Sequence, residues 1–217
     1  MTAVMPSGTP SQTTQYVYGV STAAGSGIND NDVLAKVEYP DLTTGAASAG
    51  EAETYTTDAA GETLTSTDRN GTTHQYSYDS LGRLTADEIT TFGAGVDQSV
   101  AKHGYTYNAQ GQVEQSTSYD ASGNVVNQIQ DVYNGLGQLV TEYQATNGAV
   151  NPSSTPSLQY GYSSIDTGSR LTSMTYPNGR VIHYNYGASG SLDDAIGRLS
   201  SISDSSGTLQ SYSYQGL

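Results

Sequence analysis

The sequence predicts an all-β fold, an antiparallel meander of repeated β-hairpins. Three observations carry this. The tetrad Asp/Asn-x-x-Gly occurs eight times, where 25 Asp or Asn and 25 Gly among 217 residues give about three by chance. Its glycines lie 10 to 12 residues apart in the dense regions (Gly61, Gly71 and Gly82; Gly111 and Gly123; Gly197 and Gly207), which leaves room for one strand between turns. No segment sustains the 3.6-residue period of an amphipathic helix.

The stretch Tyr76-Ser-Tyr-Asp-Ser-Leu-Gly-Arg-Leu-Thr85 shows the design. Tyr76 and Tyr78 are two apart and share one face of a strand. Asp79 accepts from backbone N–H groups further round the turn, and Gly82 takes the φ > 0 position without a Cβ clash. Arg83 and Leu84 begin the returning strand. The expected turn is type I followed by a glycine bulge.

In chain order, residues 1–15 are rich in Ser, Thr and Pro and are expected to fray. Tyr16-Val-Tyr18 is a first strand, 19–27 a flexible small-residue segment, 33–39 a strand ended by Pro40, and 43–52 another small-residue loop. Residues 1–54 thus form degenerate repeats and a flexible N-terminal segment. Residues 55–144 carry clear hairpins: strands 62–67, 72–78 and 83–91, an inserted loop over 92–99, then 103–107, 112–119, 124–133 and 138–144. Residues 145–157, with Asn147-Gly148, Pro152 and Pro156, read as a linker or long loop. Residues 158–217 resume the hairpins, with strands at 158–162, 170–176, 180–186, 198–203 and 208–214. Tyr176-Pro-Asn-Gly179 is expected to be a turn of a second type, with Asn and Gly both at φ > 0. Leu192 to Ile196 allows one helical turn at most. The final Ser211-Tyr-Ser-Tyr214 is the front half of a unit, as expected of a segment from a longer protein.

One pattern breaks strict alternation. Leu171 and Met174, and likewise Leu199 and Ile202, lie three apart after a turn, which sends them to opposite faces of a regular strand. Either a bulge follows the glycine or both faces are partly buried.

Composition narrows the function. The net charge of −14 disfavours nucleic acid and anionic lipid as partners. It fits a soluble exported surface or, more sharply, a cation-binding face. The absence of Cys excludes disulfides, thiolate nucleophiles and zinc–thiolate sites. No apolar run reaches the roughly 18 residues of a membrane span, and the first ten residues lack the pattern of a signal peptide. Large aliphatics are sparse, but 18 Tyr against one Phe and no Trp suit thin sheets that keep hydroxyls near water or a partner.

Five segments resemble the Rhs/YD-repeat family: YSYDSLGRLT (76–85), YTYNAQGQV (105–113), VYNGLGQLV (132–140), YGYSSIDTGSRLTSMTYPNGR (160–180) and YNYGASGSLDDAIGRLSSI (184–202). The units of that family look like Y-x-Y-D-x-x-G-R-L followed by T-Y-x-x-G. The resemblance covers about 55–214. It implies repeat positions at Tyr76, Tyr78, Asp79, Gly82, Arg83 and Leu84; at Tyr105, Tyr107, Asn108 and Gly111; at Tyr133, Asn134, Gly137 and Leu139; at Tyr160, Tyr162, Arg170, Leu171, Tyr176 and Gly179; and at Tyr184, Tyr186, Gly197, Arg198 and Leu199. It also implies a spiralling β-sheet shell, secreted or displayed at the cell surface, that in bacterial toxins encloses a C-terminal toxic domain. In animal relatives such repeats belong to adhesion receptors. Toxin members carry an aspartyl autoprotease after the repeats. Asp193-Asp194 is adjacent in sequence and does not resemble that pair.

No catalytic, cofactor or metal site is expected. His74, His103 and His183 each lie near a Tyr in a predicted strand, and a metal site needs them to converge from separate strands. Asn29-Asp-Asn-Asp32 lacks the spacing of a calcium loop and reads as a solvated turn. Arg83, Arg170, Arg180 and Arg198 each follow a turn glycine and can pair with acids on a neighbouring strand, at about 0.2–1 kcal/mol per pair. Asn70-Gly-Thr72 has the form of a glycosylation acceptor. Two functions follow: a non-enzymatic scaffold whose partners are the remaining repeats and C-terminal domain of its parent, or an adhesion module binding glycans or cell-surface proteins. Unpaired sheet edges are expected at both ends of the meander.

Overall fold

A computed structural model describes residues 1–3, 6, 8–165 and 168–215. Asp166-Thr167, inside the 160–180 motif, and Gly216-Leu217, at the end of the last segment, lie outside the described residues. The strands are β1 (Thr2–Ala3), β2 (Gln12–Thr13), β3 (Gln15–Val20), β4 (Asp30–Pro40), β5 (Ala47–Thr57), β6 (Thr63–Thr67), β7 (Thr73–Tyr78), β8 (Leu84–Thr91) and β9 (Lys102–Tyr107). They continue as β10 (Val113–Tyr119), β11 (Val125–Tyr133), β12 (Leu139–Ala145), β13 (Ser157–Tyr162), β14 (Leu171–Thr175), β15 (Val181–Tyr186), β16 (Leu199–Asp204) and β17 (Gly207–Ser211). The helical elements are a 3-10 turn at Thr22–Ala24 and the single-turn α1 at Leu192–Ala195.

The chain divides into two compact units. One holds residues 1–105 with 118–124, the other 106–117 with residues from 125 onward. In the first unit, β3 to β9 lie side by side in chain order, each antiparallel to its neighbours, and β1 pairs with β2 apart from them. In the second, β11 to β17 do the same. Among the described residues the first and last strands of neither run pair with each other, so neither run is a closed barrel.

The turns follow from the tetrad. At Asp79 the backbone N–H donates to the Arg83 carbonyl (2.9 Å), and the Gly82 N–H donates back to the Asp79 carbonyl (3.0 Å). Asp79 Oδ1 accepts from the N–H groups of Leu81 (2.9 Å) and Arg83 (3.1 Å), while Gly82 sits at φ +75°. This is the expected type I turn closed by a glycine in the left-handed region. The same bonds recur at Asp58, Asp68, Asn108, Asp120 and Asn134.

The other two tetrads differ. Asp194–Gly197 ends α1, and Asp204 and Gly207 pair directly across a two-residue loop. The Tyr176–Gly179 turn is a correction: it is not a second type. Its bonds, Tyr176 N–H to Arg180 O (2.8 Å) and Gly179 N–H to Tyr176 O (2.9 Å), match the common pattern, and only Gly179 has positive φ. Pro177 presets the first turn position, and Asn178 Oδ1 instead accepts from the Arg180 N–H. Residues 47–52, expected as loop, lie in β5. There the small residues Ala47 and Ala52 pair with Pro40 and Glu38 of β4, and cross-strand pairing overrides weak strand propensity. The acidic Asn29–Asp32 cluster likewise runs into β4 from Asp30.

The three-residue apolar spacing comes from bulges. Ser77 opposes Ala86 but Tyr78 opposes Leu84, so Thr85 is an extra residue. The same slip leaves Leu64, Val140, Thr172 and Ser200 unpaired. Each is the second residue of a return strand. The bulge restores to one face residues that alternation would separate: Leu171 and Met174 oppose Tyr162 and Tyr160, and Leu199 and Ile202 oppose Tyr186 and Tyr184. Burial is shallow throughout. Val20, Val37, Ala86, Ala101 and Ile182 are buried with Thr57, Thr72 and Thr117, and no large side chain is fully enclosed among the described residues.

Candidate functional site: clamps between hairpin tips

Where a bulge follows a turn, the ladder to the next hairpin is short. Pairing of β6 with β7, β12 with β13 and β14 with β15 is confined to three residue pairs, far from the tips at Asp58, Asn134 and Ser163. Near those tips the strands are joined by side chains instead. The Tyr78 hydroxyl donates to the Thr63 carbonyl (3.0 Å), Tyr133 to Val113 (2.9 Å), Tyr162 to Leu139 (2.9 Å), Tyr186 to Leu171 (2.9 Å) and Tyr214 to Leu199 (2.8 Å). Tyr78, Tyr162, Tyr186 and Tyr214 are each the second Tyr of a Tyr-x-Tyr triplet, Tyr133 follows Asp131 at the same position, and in all five the acceptor is the first residue of a preceding return strand. Four of the five accepting residues, Thr63, Leu139, Leu171 and Leu199, directly precede a bulge, and the tyrosine gives each carbonyl a side-chain partner there.

At three tips the residue just after the positive-φ turn position (Gly111, Gly137 and Ser169) makes a second link. Gln112 Nε2 donates to the Gly137 carbonyl (2.8 Å), Gln138 Nε2 to the Ser169 carbonyl (2.7 Å) and Arg170 Nη1 to the Asp194 carbonyl (2.8 Å). Each reaches the following tip. Two of the arginines also cover the clamp itself: Arg170 lies 4.5 Å over the Tyr186 ring, and Arg198 lies 4.8 Å over Tyr214. At Val113, Leu139, Leu171 and Leu199 one unit therefore reads as a turn residue at positive φ, a cationic or amide residue, an accepting carbonyl, and a tyrosine from a later hairpin; at Thr63 the second position is Glu62.

The arginines pair differently from one another. Arg170 and Arg180 meet acids from other hairpins, Asp194 at 2.8 Å and Asp204 at 2.7 Å. Arg83 bonds Asp79 of its own turn at 2.6 Å, and Arg198 meets Asp193 of its own loop at 3.1 Å. The Arg83 side chain, then the backbone N–H groups of Arg83 and Leu81, hold the Asp79 carboxyl below its ordinary value. The Arg170 guanidinium does the same for Asp194. Burial pushes the Tyr78, Tyr133 and Tyr162 hydroxyls up, which keeps them protonated as donors.

Of the remaining repeat positions, Tyr76 shares a hydrogen bond with Ser66 Oγ (3.0 Å), while Tyr160 and Tyr184 oppose Met174 and Ile202. Tyr105 and Tyr107 lie on β9 ahead of the Asn108–Gly111 turn. Leu84, Leu139, Leu171 and Leu199 open their return strands. His74 Nδ1 contacts Asp87 Oδ1 (2.6 Å), and His103 Nδ1 contacts Ser118 Oγ (3.3 Å). Among the described residues no group of three His, Cys, Asp or Glu is arranged to hold a metal. Sequence reasoning found the tyrosines and arginines but missed the clamp, because its acceptor is backbone. The only local signal was the three-residue apolar spacing that betrays the bulge.

The family model described as RHS Repeat matches residues 58–94, the two hairpins around Asp68–Gly71 and Asp79–Gly82. No curated protein matches the chain. Among solved structures, the crystal structure of TcdB2-TccC3-Cdc42 is similar at 14% identity and TM-score 0.36, over 96% of this chain and 13% of that one. A Photorhabdus luminescens Tc holotoxin pore is similar at 15% identity and TM-score 0.37, over 95% of this chain and 13% of that one. The chain thus spans about an eighth of the length of the structures it matches.

Proposed function

We propose that this chain, which carries an RHS repeat at 58–94, is a non-catalytic wall segment of a secreted or cell-surface Rhs/YD-repeat protein. In this reading its partners are the neighbouring repeats and a C-terminal toxin-like domain, which the wall encloses. One observation carries it: the functional groups that the repeat supplies are spent on the repeat. Tyrosine hydroxyls at 78, 133, 162, 186 and 214 are taken by backbone carbonyls of the adjoining hairpin, and Gln112, Gln138 and Arg170 by the next tip. Such side chains build a surface rather than converge on a substrate. Stacked units that each bond only to their neighbours extend a wall by repetition.

The test uses the full-length parent protein. Limited proteolysis measures protection of its C-terminal domain before and after Tyr78, Tyr162 and Tyr186 are all changed to Phe. The reading expects a protected domain in the wild type and faster cleavage in the variant. Equal, rapid cleavage in both overturns enclosure. Adhesion is the alternative outcome: capture on a glycan array that is lost on Tyr→Ala change at the exposed Tyr16 and Tyr18 (50% and 59% accessible) replaces the wall reading with a binding one.

A further inference from the structure

The hairpins can be compared position by position. Two residues before the turn-proximal end of its first strand, each presents a side chain opposite the residue three beyond the start of the return strand. The pairs are Tyr55 with Ser66, Tyr76 with Asp87, Tyr160 with Met174 and Tyr184 with Ile202. At the β11–β12 hairpin alone of these five, the tyrosine is replaced by an acid and its partner is also an acid: Asp131 opposes Glu142. Directly opposed like charges destabilise a strand pair.

The surroundings do not relieve this pair. Asp131 Oδ1 is buried and has no hydrogen-bond partner, and its Oδ2 receives only a long 3.4 Å contact from the Tyr133 hydroxyl, which sits closer to the Val113 carbonyl at 2.9 Å. Glu142 Oε1 accepts from the Gln144 side-chain amide. Neither acid forms an ion pair among the described residues. The groups around them are Tyr133 on β11, Gln144 on β12 and Tyr160 on β13, and neither these three strands nor β10 contains Lys, Arg or His. Burial, and then the Glu142 charge, raise the Asp131 carboxyl above its ordinary value.

We propose that Asp131 keeps its carboxyl proton in the folded chain, opposite Glu142 and with no cation to pair with, and that loss of this proton loosens the β11–β12 hairpin, making this hairpin an acid-tightened joint. A carboxyl raised on folding contributes stability that is complete below its unfolded value and is lost as pH rises through its folded value. The joint is therefore firm in acid and slack at neutral pH, opposite in sign to the turn aspartates.

Amide hydrogen exchange of the whole chain, corrected for intrinsic rates, tests this between about pH 4 and about pH 7. The expected result is that protection of residues 125–145 falls with rising pH by roughly tenfold relative to the β13–β14 hairpin. Asp131→Asn and Asp131→Tyr, the latter restoring the residue seen at 76, 160 and 184, are expected to remove the pH dependence and raise neutral-pH protection. Carboxyl carbon NMR supplies a second reading that needs no variant: the Asp131 carboxyl must titrate above the ordinary aspartate range. Titration of Asp131 at its ordinary value, or the same pH profile in wild type and both variants, overturns the proposal.

Discussion

The Tyr186 hydroxyl lies 2.9 Å from the Leu171 carbonyl oxygen, with the Arg170 guanidinium 4.5 Å over the same ring. One tyrosine thus joins two hairpins by its hydroxyl tip and its π-face. Removing the hydroxyl leaves a half-buried carbonyl without its partner. Tyr186→Phe is expected to cost about 1 kcal/mol, read as a fall of about 2–4 °C in melting temperature. Tyr162→Phe is expected to behave alike, and Tyr18→Phe, at an exposed position, to change nothing measurable.

Gly82 combines a φ of +75° with a neighbour, Glu62 Oε1, only 2.5 Å from where a Cβ would stand. Gly82→Val is expected to cost about 1–3 kcal/mol from backbone strain, plus displacement of the Glu62 carboxylate. Gly123→Val, at φ +81° with nothing within 4 Å, isolates the strain alone and is expected to cost less. Ser80→Ala is expected to stay within about 0.5 kcal/mol of wild type. Chemical denaturation of the three variants gives the order, and equal midpoints for Gly82→Val and Ser80→Ala refute the turn assignment.

Asp79, Asp120, Asp194 and Asp204 are held below the ordinary aspartate value, by Arg83, by the Asn124 amide, by Arg170, and by the Ser206 N–H with Arg180 respectively. A carboxyl depressed on folding contributes stability that is present above its unfolded value and is lost as pH falls through its folded value. Melting temperature is therefore expected to fall steeply below about pH 4. Asp79→Asn keeps the side-chain oxygen that Asn108 and Asn134 use in the same turn but gives up the Arg83 pair, so it is expected to flatten part of that slope.

At the alkaline end the sign reverses. Burial, then the hydrogen bond to Glu53, push Tyr55 up to about 12, and burial also raises Tyr78, Tyr133 and Tyr162. Stability from these phenols is complete below the ordinary tyrosine value and drains as pH rises through the folded values. Phenolate absorbance is expected to appear in two stages: exposed tyrosines first, then the clamp tyrosines together with loss of strand signal in circular dichroism. A single ordinary titration of all tyrosines contradicts the clamp.

The turns were legible because their determinants are local. Asp79 and Gly82 bond within five residues, and the same logic located Asp58, Asp68, Asn108, Asp120 and Asn134. The Tyr176 turn was misread because Asn178-Gly179 suggests two positive-φ residues, whereas the position of Gly179 and the fixed φ of Pro177 impose the common type. The pairs Leu171 with Met174 and Leu199 with Ile202 signalled something irregular, but the choice between a bulge and two buried faces required the register. The clamp was out of reach. Tyrosine and acceptor are 15 residues apart at Tyr78, Tyr186 and Tyr214, but 20 at Tyr133 and 23 at Tyr162, and neither partner is marked by its side chain as a pair to the other. Residues 47–52 carried too little strand propensity to be recognised, since their extension depends on β4 alongside.

The clamp tyrosine bonds a main-chain oxygen, supplied in turn by Thr63, Val113, Leu139, Leu171 and Leu199. Every amino acid offers that atom. A joint blind to the identity of its acceptor survives drift on one side without a matching change on the other. Units built this way are interchangeable parts: one can be duplicated, lost or traded for a diverged copy, and the seam to its neighbour still closes.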